Sequence, residues 1–356
     1  MSKEEKNLRE KEEKVLSKRK RVLGVLLSLT VAAGCLAGCG SSSSATGDSE
    51  YQTINLSMAV NGTDTQIDSL VAKHFSELVE EKSGGAITID VFPNDTLAGG
   101  NSTKGVEYIA TGGSDLGAYA TCVLANIEPK MSVATIPWTF KSYEEAREVI
   151  DTTGGEYYAE LLANKGITYL GSFHNGFRQL TNSKRAVTTP EDLKGLKIRV
   201  PGSEVYMSFF SALGANPTAM SWSEVFTAIQ QGTIDGQENG CSVTKSAKMD
   251  EIQDYMTIWN YSYESDLFVA NTKVWEGLEE NTQELLQECA TEACEWGRDK
   301  LEAEEEELIQ GFKDAGMQVD VLTDEQIAAF QEQITDVVEY FKEQYGEEAC
   351  KAFGIE

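Results

Sequence analysis

From residue 53 to residue 120 the apolar positions change period, first every second residue, then every three to four, then every second again. Residues 53–59 (TINLSMA) read as a strand. Ile67, Leu70, Val71, Phe75 and Leu78 then share one helical face, which Gly84-Gly85 ends. Residues 86–92 (AITIDVF) form a second predicted strand, 103–111 a helix and 116–120 a short third strand. The alternation resumes with a strand over 167–173. Thr189-Pro190-Glu191-Asp192 opens a short helix, with a capping threonine and proline at the first helical position, and Gly195 ends it. Leu196, Ile198 and Val200 then alternate as a strand, with Lys197 and Arg199 on its other face, until Pro201-Gly202 stops it. Ser203 is placed to cap a helix over 204–213. Ser221-Trp222-Ser223-Glu224 has the form of a capping box for a helix ending near Gln231. Helices alternating with short strands predict an α/β protein with mostly parallel sheets.

The last third has a different rhythm. Residues 281–315 contain no proline, and Leu285, Leu286, Cys289, Ala293, Trp296, Leu308 and Phe312 recur at helical intervals. This predicts a helix of about 30 residues or more, about 45 Å or longer, enough to brace two domains. Residues 317–322 read as a last strand, and Thr323-Asp324-Glu325-Gln326 caps a final helix.

The amino end is built differently again. A charged segment ends in Lys18-Arg19-Lys20-Arg21, and about 13 apolar residues follow from Val22. That is an export signal, too short for a comfortable permanent span. It closes in Leu36-Ala37-Gly38-Cys39, which resembles the bacterial lipobox, with Cys39 as the lipidated residue and Cys35 the weaker alternative. Residues 40–50 (GSSSSATGDSE) are a tether with a root-mean-square reach of roughly 18 Å. The folded part is therefore expected outside the cytoplasm, lipid-anchored to the outer face of the cell membrane or periplasmic.

Charge narrows the chemistry. The chain carries −28, and its first 38 residues hold nine basic and five acidic side chains, so the remainder is at −32. That argues against nucleic acid as a partner. Beyond Cys39 the cysteines are Cys122, Cys241, Cys289, Cys294 and Cys350, an odd set without the spacing of a disulfide framework. With two histidines and no C-x-x-C, neither a zinc site nor any other metal or cofactor is expected. Inside this acidic chain, residues 171–202 are at +4, through Arg178, Lys184, Arg185, Lys194, Lys197 and Arg199 against Glu191 and Asp192. A solvated basic face would account for much of this island. Arg199 stands out, because it ends a strand just before a helix. Ligands of open α/β sheets bind at such strand ends, and a guanidinium fits a carboxylate.

The stretch Ser172–Gly240 resembles the DctP-type solute-binding proteins of TRAP transporters, through GFRQLTN, DLKGLKIRVP, ALGANPTAMSWSEVFTAIQ and DGQEN in this order. The resemblance implies a two-domain, periplasmic-binding-protein-like clamshell of α/β type, with the long C-terminal helix bracing both domains. The division expected is 51–175 plus about 265–305 against 176–264 plus about 306–356. It implies a monomeric, non-enzymatic receptor that hands an organic acid to TRAP membrane permease subunits. The ligand would be a sugar acid such as a hexuronate, or a C4-dicarboxylate. By the same resemblance Arg199 clamps the ligand carboxylate, Arg178 is a second basic contact, Asn239 a hydrogen-bond donor and Trp222 the ring against which the ligand lies. Asn61 and Tyr261 fall where related proteins contact ligand, and His174 and Asn175 are placed to line the cleft. The sequence departs from the family at Gly240, where proline commonly follows DGQEN; this would loosen the turn that carries Asn239. A receptor for an ABC importer or a sensor kinase would share the tether and the clamshell. An enzyme is disfavoured, since GxSxG, HExxH and the phosphate-binding G-x-x-x-x-G-K-[ST] are missing.

Overall fold

Two sheets carry the chain in the computed structural model, which describes residues 50–356; the export signal, Cys39 and nearly all of the tether lie outside the described residues. The first sheet holds β1 (Ile54–Val60), β2 (Ile87–Phe92), β3 (Leu116–Ala120), β4 (Ile167–Phe177) and β10 (Tyr263–Asn271), in the order β2-β1-β3-β10-β4. The second holds β5 (Gln179–Asn182), β6 (Lys197–Val200), β7 (Asn216–Ala219), β8 (Gly236–Asn239), β9 (Tyr255–Ile258) and β11 (Gln318–Val321), in the order β11-β9-β5-β8-β6-β7. Around them lie α1 (Ile67–Lys82), α2 (Ser102–Ala110), α3 (Thr121–Leu124), α4 (Tyr143–Val149), α5 (Gly155–Ala163), α6 (Glu204–Ala212), α7 (Trp222–Gln230), α8 (Cys241–Ser246) and α9 (Thr272–Glu276). The chain ends with α10 (Glu280–Asp314), α11 (Asp324–Gln333), α12 (Thr335–Tyr345) and α13 (Glu347–Ala352).

The chain passes between the sheets at three places. β4 ends at Phe177 and β5 begins at Gln179, so Arg178 alone separates them. Residues 259–262 lead back from β9 to β10, and the Arg178 amide donates to the Ser262 carbonyl across the two connections (2.8 Å). The Gln179 carboxamide ties them further, accepting from the amides of Trp259 (2.9 Å) and Asn260 (3.1 Å). The third link is α10, whose 35 residues span about 52 Å. Its Leu285, Leu286, Cys289, Ala290 and Ala293 join Val71, Phe75 and Val79 of α1 in the core of the first lobe. Its far end buries Phe312 against Met256, Ile258 and Met317 of the second.

Several sequence expectations change here. The Thr189–Asp192 and Thr323–Gln326 capping boxes form, but α11 is followed by two more helices. Ser203 and Ser221 stand at N-cap positions without capping: Ser203 Oγ pairs with Ser132 Oγ (3.2 Å), and Ser221 Oγ lies 3.5 Å from the Ser102 amide of the opposite lobe. DGQEN is no turn; its last four residues are the buried strand β8. Gly240 has an ordinary φ of −61°, so a loosened turn is not what glycine supplies. A Cβ there would sit 2.5 Å from the Asn175 carbonyl oxygen, and glycine lets the two lobes' backbones touch beside the site. The five described cysteines are free and buried.

Candidate functional site

Between the sheets lies a cavity of about 320 Å3, within the range of small-molecule sites. β6 and β8 are parallel, and their carboxyl ends meet it through Arg199 with Pro201 and through Asn239; Arg178, entering antiparallel β5, completes this side. The opposing side comes from the first lobe, with Asn61 after β1, Ser102 at the start of α2, Ala120 at the end of β3 and Asn175 on β4. The lobes touch at the rim, where Ser223 Oγ donates to the Gly100 carbonyl (2.8 Å).

Arg199 is 4 % exposed. Its Nε and Nη2 both donate to the Met220 carbonyl (2.9 and 2.7 Å), and its guanidinium lies 5.2 Å from the centre of the Trp222 ring. Among the described residues it forms no ion pair with a carboxylate. Burial lowers its pKa from 12.5 to about 10, with the charge of Glu238 offsetting only part of the lost hydration. Trp222 therefore does two things: it covers the guanidinium and walls the cavity.

Arg178 is in a different position. It is buried, Nε and Nη2 donate to the Glu238 carboxylate (2.5 and 3.0 Å), and Glu264 Oε2 lies 3.6 Å from Nη1. Its guanidinium covers the Tyr206 ring at 4.9 Å. Arg178 lines the cavity, yet its charge is already matched. Asn239 also lines it, with no side-chain hydrogen bond to the described residues.

Two candidates fall elsewhere. Tyr261 is fully buried, donates its hydroxyl to Glu238 (2.6 Å) and stacks on Phe209 at 4.5 Å; it supports the crossing and does not reach the cavity. His174 lies on β4 behind the cavity wall, between Tyr263 (2.6 Å) and Glu302 of α10 (3.0 Å). Burial, aided by the charges of Arg298 and Arg147, pushes it down to about 2, so its ring is neutral. His74 packs on Trp296 of α10 at 4.6 Å. Most of the basic island is surface: Arg185 holds the Asp192 and Lys194 carbonyls, and Lys184 faces Asp235. Among the described residues no cluster of His, Cys, Asp or Glu could hold a metal.

Sequence reasoning missed the acids behind the first-lobe wall. Asp95 accepts from Asn61 Nδ2 (2.7 Å), Ser102 Oγ (2.9 Å) and the Tyr119 hydroxyl (2.6 Å). Asp266, in the middle of β10, takes the amide of Asn175 (3.1 and 3.2 Å). Asp68 accepts from the amides of Gly62 (2.6 Å) and Ser69 (2.8 Å). Burial raises all three, Asp68 to about 7. Folded Asp68 thus keeps its proton up to about pH 7, while in the unfolded chain it ionises near 3.8. Folding takes up that proton between these values, so stability falls as pH rises through the window and levels off above it. We expect the thermal midpoint to decline from pH 5 to pH 8, and Asp68→Asn to flatten that decline; an unchanged slope in the variant would place the titration elsewhere.

The family described as bacterial extracellular solute-binding protein, family 7 (DctP) matches residues 56–344. The 2,3-diketo-L-gulonate-binding periplasmic protein YiaO of Escherichia coli is 32 % identical over 287 residues, 81 % of this chain and 86 % of that protein. The C4-dicarboxylate-binding periplasmic protein DctP of Rhodobacter capsulatus is 32 % identical over 286 residues, 79 % of this chain and 84 % of the other. A TRAP periplasmic solute-binding protein from Ralstonia eutropha H16, solved with bound (S)-2-acetolactate, superposes with a TM-score of 0.81 at 28 % identity, covering 84 % of this chain and 98 % of that one. With a family model matched over residues 56–344 and two α/β lobes about a cavity, this chain belongs to the DctP family of TRAP solute-binding proteins.

Proposed function

We propose that this protein captures an organic acid outside the cytoplasm and delivers it unchanged to TRAP permease subunits, with Arg199 as the carboxylate clamp. One observation carries the reading: Arg199 is a buried cation on the cavity wall, without an anionic partner among the described residues. In an open, wet cleft the arginine would gain little from a carboxylate. Closure excludes water and strengthens the pairing, while closure on an empty site leaves a desolvated charge. A carboxylate therefore biases the hinge toward the closed state through its differential affinity for it. The moving bodies are residues 51–175 with about 265–305 and residues 176–264 with about 306–345. The carboxyl end is assigned to the first body, because Phe353 packs on Tyr157 and Tyr158 of α5.

Asn239, Asn61, Asn175 and Trp222 complete the ligand shell in this reading. Arg178 acts mainly by positioning the floor. Cys39 carries the lipid that keeps the receptor at the membrane. The ligands of the relatives, 2,3-diketo-L-gulonate and C4-dicarboxylates, support a sugar acid or a dicarboxylate. A receptor for an ABC importer is the weaker reading, since the family match is to TRAP receptors. Calorimetry and thermal shift against a broad panel of organic acids test the proposal. One acid should bind at a 1:1 ratio and be recovered unaltered. At a hundred times its Kd it should stabilise the fold by about 2.7 kcal/mol. Silence across the panel, or turnover of the bound acid, would sink it.

A further inference from the structure

Four consecutive residues connect the clamp to the rim of the cavity. The Met220 carbonyl takes the hydrogen bonds of Arg199, and the Trp222 ring lies over its guanidinium. The serines on either side of Trp222 reach for the other lobe. Ser223 Oγ donates to the Gly100 carbonyl (2.8 Å), and Ser221 Oγ stands 3.5 Å from the Ser102 amide. The receiving corner is tied to the opposite wall in a similar way. Asp95 accepts from Asn61 (2.7 Å) and Ser102 (2.9 Å), which both line the cavity, and its carbonyl accepts from the amides of Ala98 (2.8 Å) and Gly100 (2.9 Å). Gly100 has a φ of +80°, and a Cβ there would stand 3.2 Å from Ser223 Oγ, so glycine permits both the turn and the close approach. Past Ser223 the lobes part again into a cleft of about 280 Å3, with Thr63 and Asn94 facing Phe226 and Met249, and no packed face backs the contact on that side.

Resting on the proposed ligand capture, we infer that Ser223 and Gly100 form a latch that holds the lobes together over the bound acid, so that Ser223 sets how long the ligand stays without touching it. Ser223 is not among the residues that line the cavity. The lobes also meet where Gly202 lies against Asn126, but both of these line it. Ser223 is therefore a place where closure can change while the ligand's shell does not. A ligand held by Arg199 on one lobe and Asn61 on the other steadies both halves of the latch, through residues 220–223 and through Asp95. The bond joins opposite lobes, so it exists only with the lobes together. An acid enters an open cleft and leaves after the lobes part, which makes breaking the latch a step of release and not of capture. A hydrogen bond at such a rim contributes about twofold to tenfold in an equilibrium constant, and that factor falls on the dissociation rate.

Stopped-flow kinetics on the purified protein, followed by tryptophan fluorescence, test this on the parent, Ser223→Ala and Ser223→Thr. The probe is whichever of succinate, D-gluconate, D-glucuronate and D-galacturonate binds the parent most tightly, or the binding acid of the broad panel if none of the four does. Ser223→Ala should release the acid about twofold to tenfold faster, with the association rate and the ligand-free melting midpoint unchanged. Ser223→Thr keeps the hydroxyl and should release at the parent rate. An unchanged dissociation rate in Ser223→Ala, or a threonine variant as fast as the alanine one, overturns the latch and leaves the receptor standing. So does an effect carried by the association rate, or a ligand-free midpoint lowered by several degrees, which would make Ser223 part of the fold. If no acid binds the parent, the receptor reading falls, and the latch with it.

Discussion

Replacing Arg199 by methionine is expected to lower affinity for the bound acid by two to three orders of magnitude while leaving the ligand-free protein as stable as before, or more so. The two halves of this result have one cause. Removing one partner of a buried, hydrogen-bonded charge pair costs about 2 to 5 kcal/mol of binding, or roughly thirtyfold to a few thousandfold in Kd. Without ligand, the same side chain is a liability. It is 4 % exposed, its hydrogen bonds go to one backbone carbonyl while its face lies over the Trp222 ring, and burial depresses its pKa to about 10. A methionine of similar length fills the space over Trp222 without a charge to desolvate. Calorimetry supplies the first half and a melting curve of the free protein the second. Affinity within threefold of the parent would remove Arg199 from the site. A fall of several degrees in the free protein's midpoint would show that the guanidinium is structural.

How much of this was legible in the sequence depended on where each signal lay. The strand that ends at Arg199 has one polar and one apolar face and a proline-glycine stop, so local alternation sufficed. The long helix announced itself by length and by the lack of proline. β10 did not, because all nine of its residues are buried and Glu264, Ser265 and Asp266 interrupt the apolar run; a strand covered on both faces shows no alternation. β8 was hidden in the same way, its Gln237, Glu238 and Asn239 being polar residues in the middle of a sheet. Around the cavity, composition could place basic residues near one another, but it could not say which had partners. Arg178 and Arg199 look alike along the chain. They differ because Glu238, sixty residues after Arg178, folds directly onto its guanidinium. His174 and Tyr261 were misplaced for a related reason: they lie one layer behind the cavity, and a one-dimensional reading does not resolve depth. The acids behind Asn61 and Asn175 left no local signature at all, since Asp68, Asp95 and Asp266 come together only through tertiary contacts.

Arg178→Met should do the reverse of Arg199→Met and cost the fold itself. Arg178 is the one residue between β4 and β5, and its guanidinium joins carboxylates from both sheets, Glu238 on β8 and Glu264 on β10, each fully buried. Glu238 also accepts from the Tyr261 hydroxyl (2.6 Å). Glu264 accepts from the Tyr206 hydroxyl (2.9 Å), the Cys122 amide (3.1 Å) and the Thr121 hydroxyl. Those donors hold the two carboxylates in place but do not neutralise them. Removing the cation leaves two buried negative charges side by side, a loss of about 3 to 5 kcal/mol. For a protein of this size that corresponds to a midpoint lowered by roughly 5 to 8 °C. Adding Glu238→Gln to Arg178→Met removes one stranded charge and keeps an acceptor for Tyr261, so the double variant should recover part of the loss. The coupling measured in the double-mutant cycle should then exceed about 1 kcal/mol. Additive losses would mean that the pair is not the bond holding the crossing. Because Arg178 sits between the cavity and the residues that link the lobes, its loss should also weaken ligand binding, but in proportion to the disorder of the crossing, whereas at Arg199 affinity and stability part company.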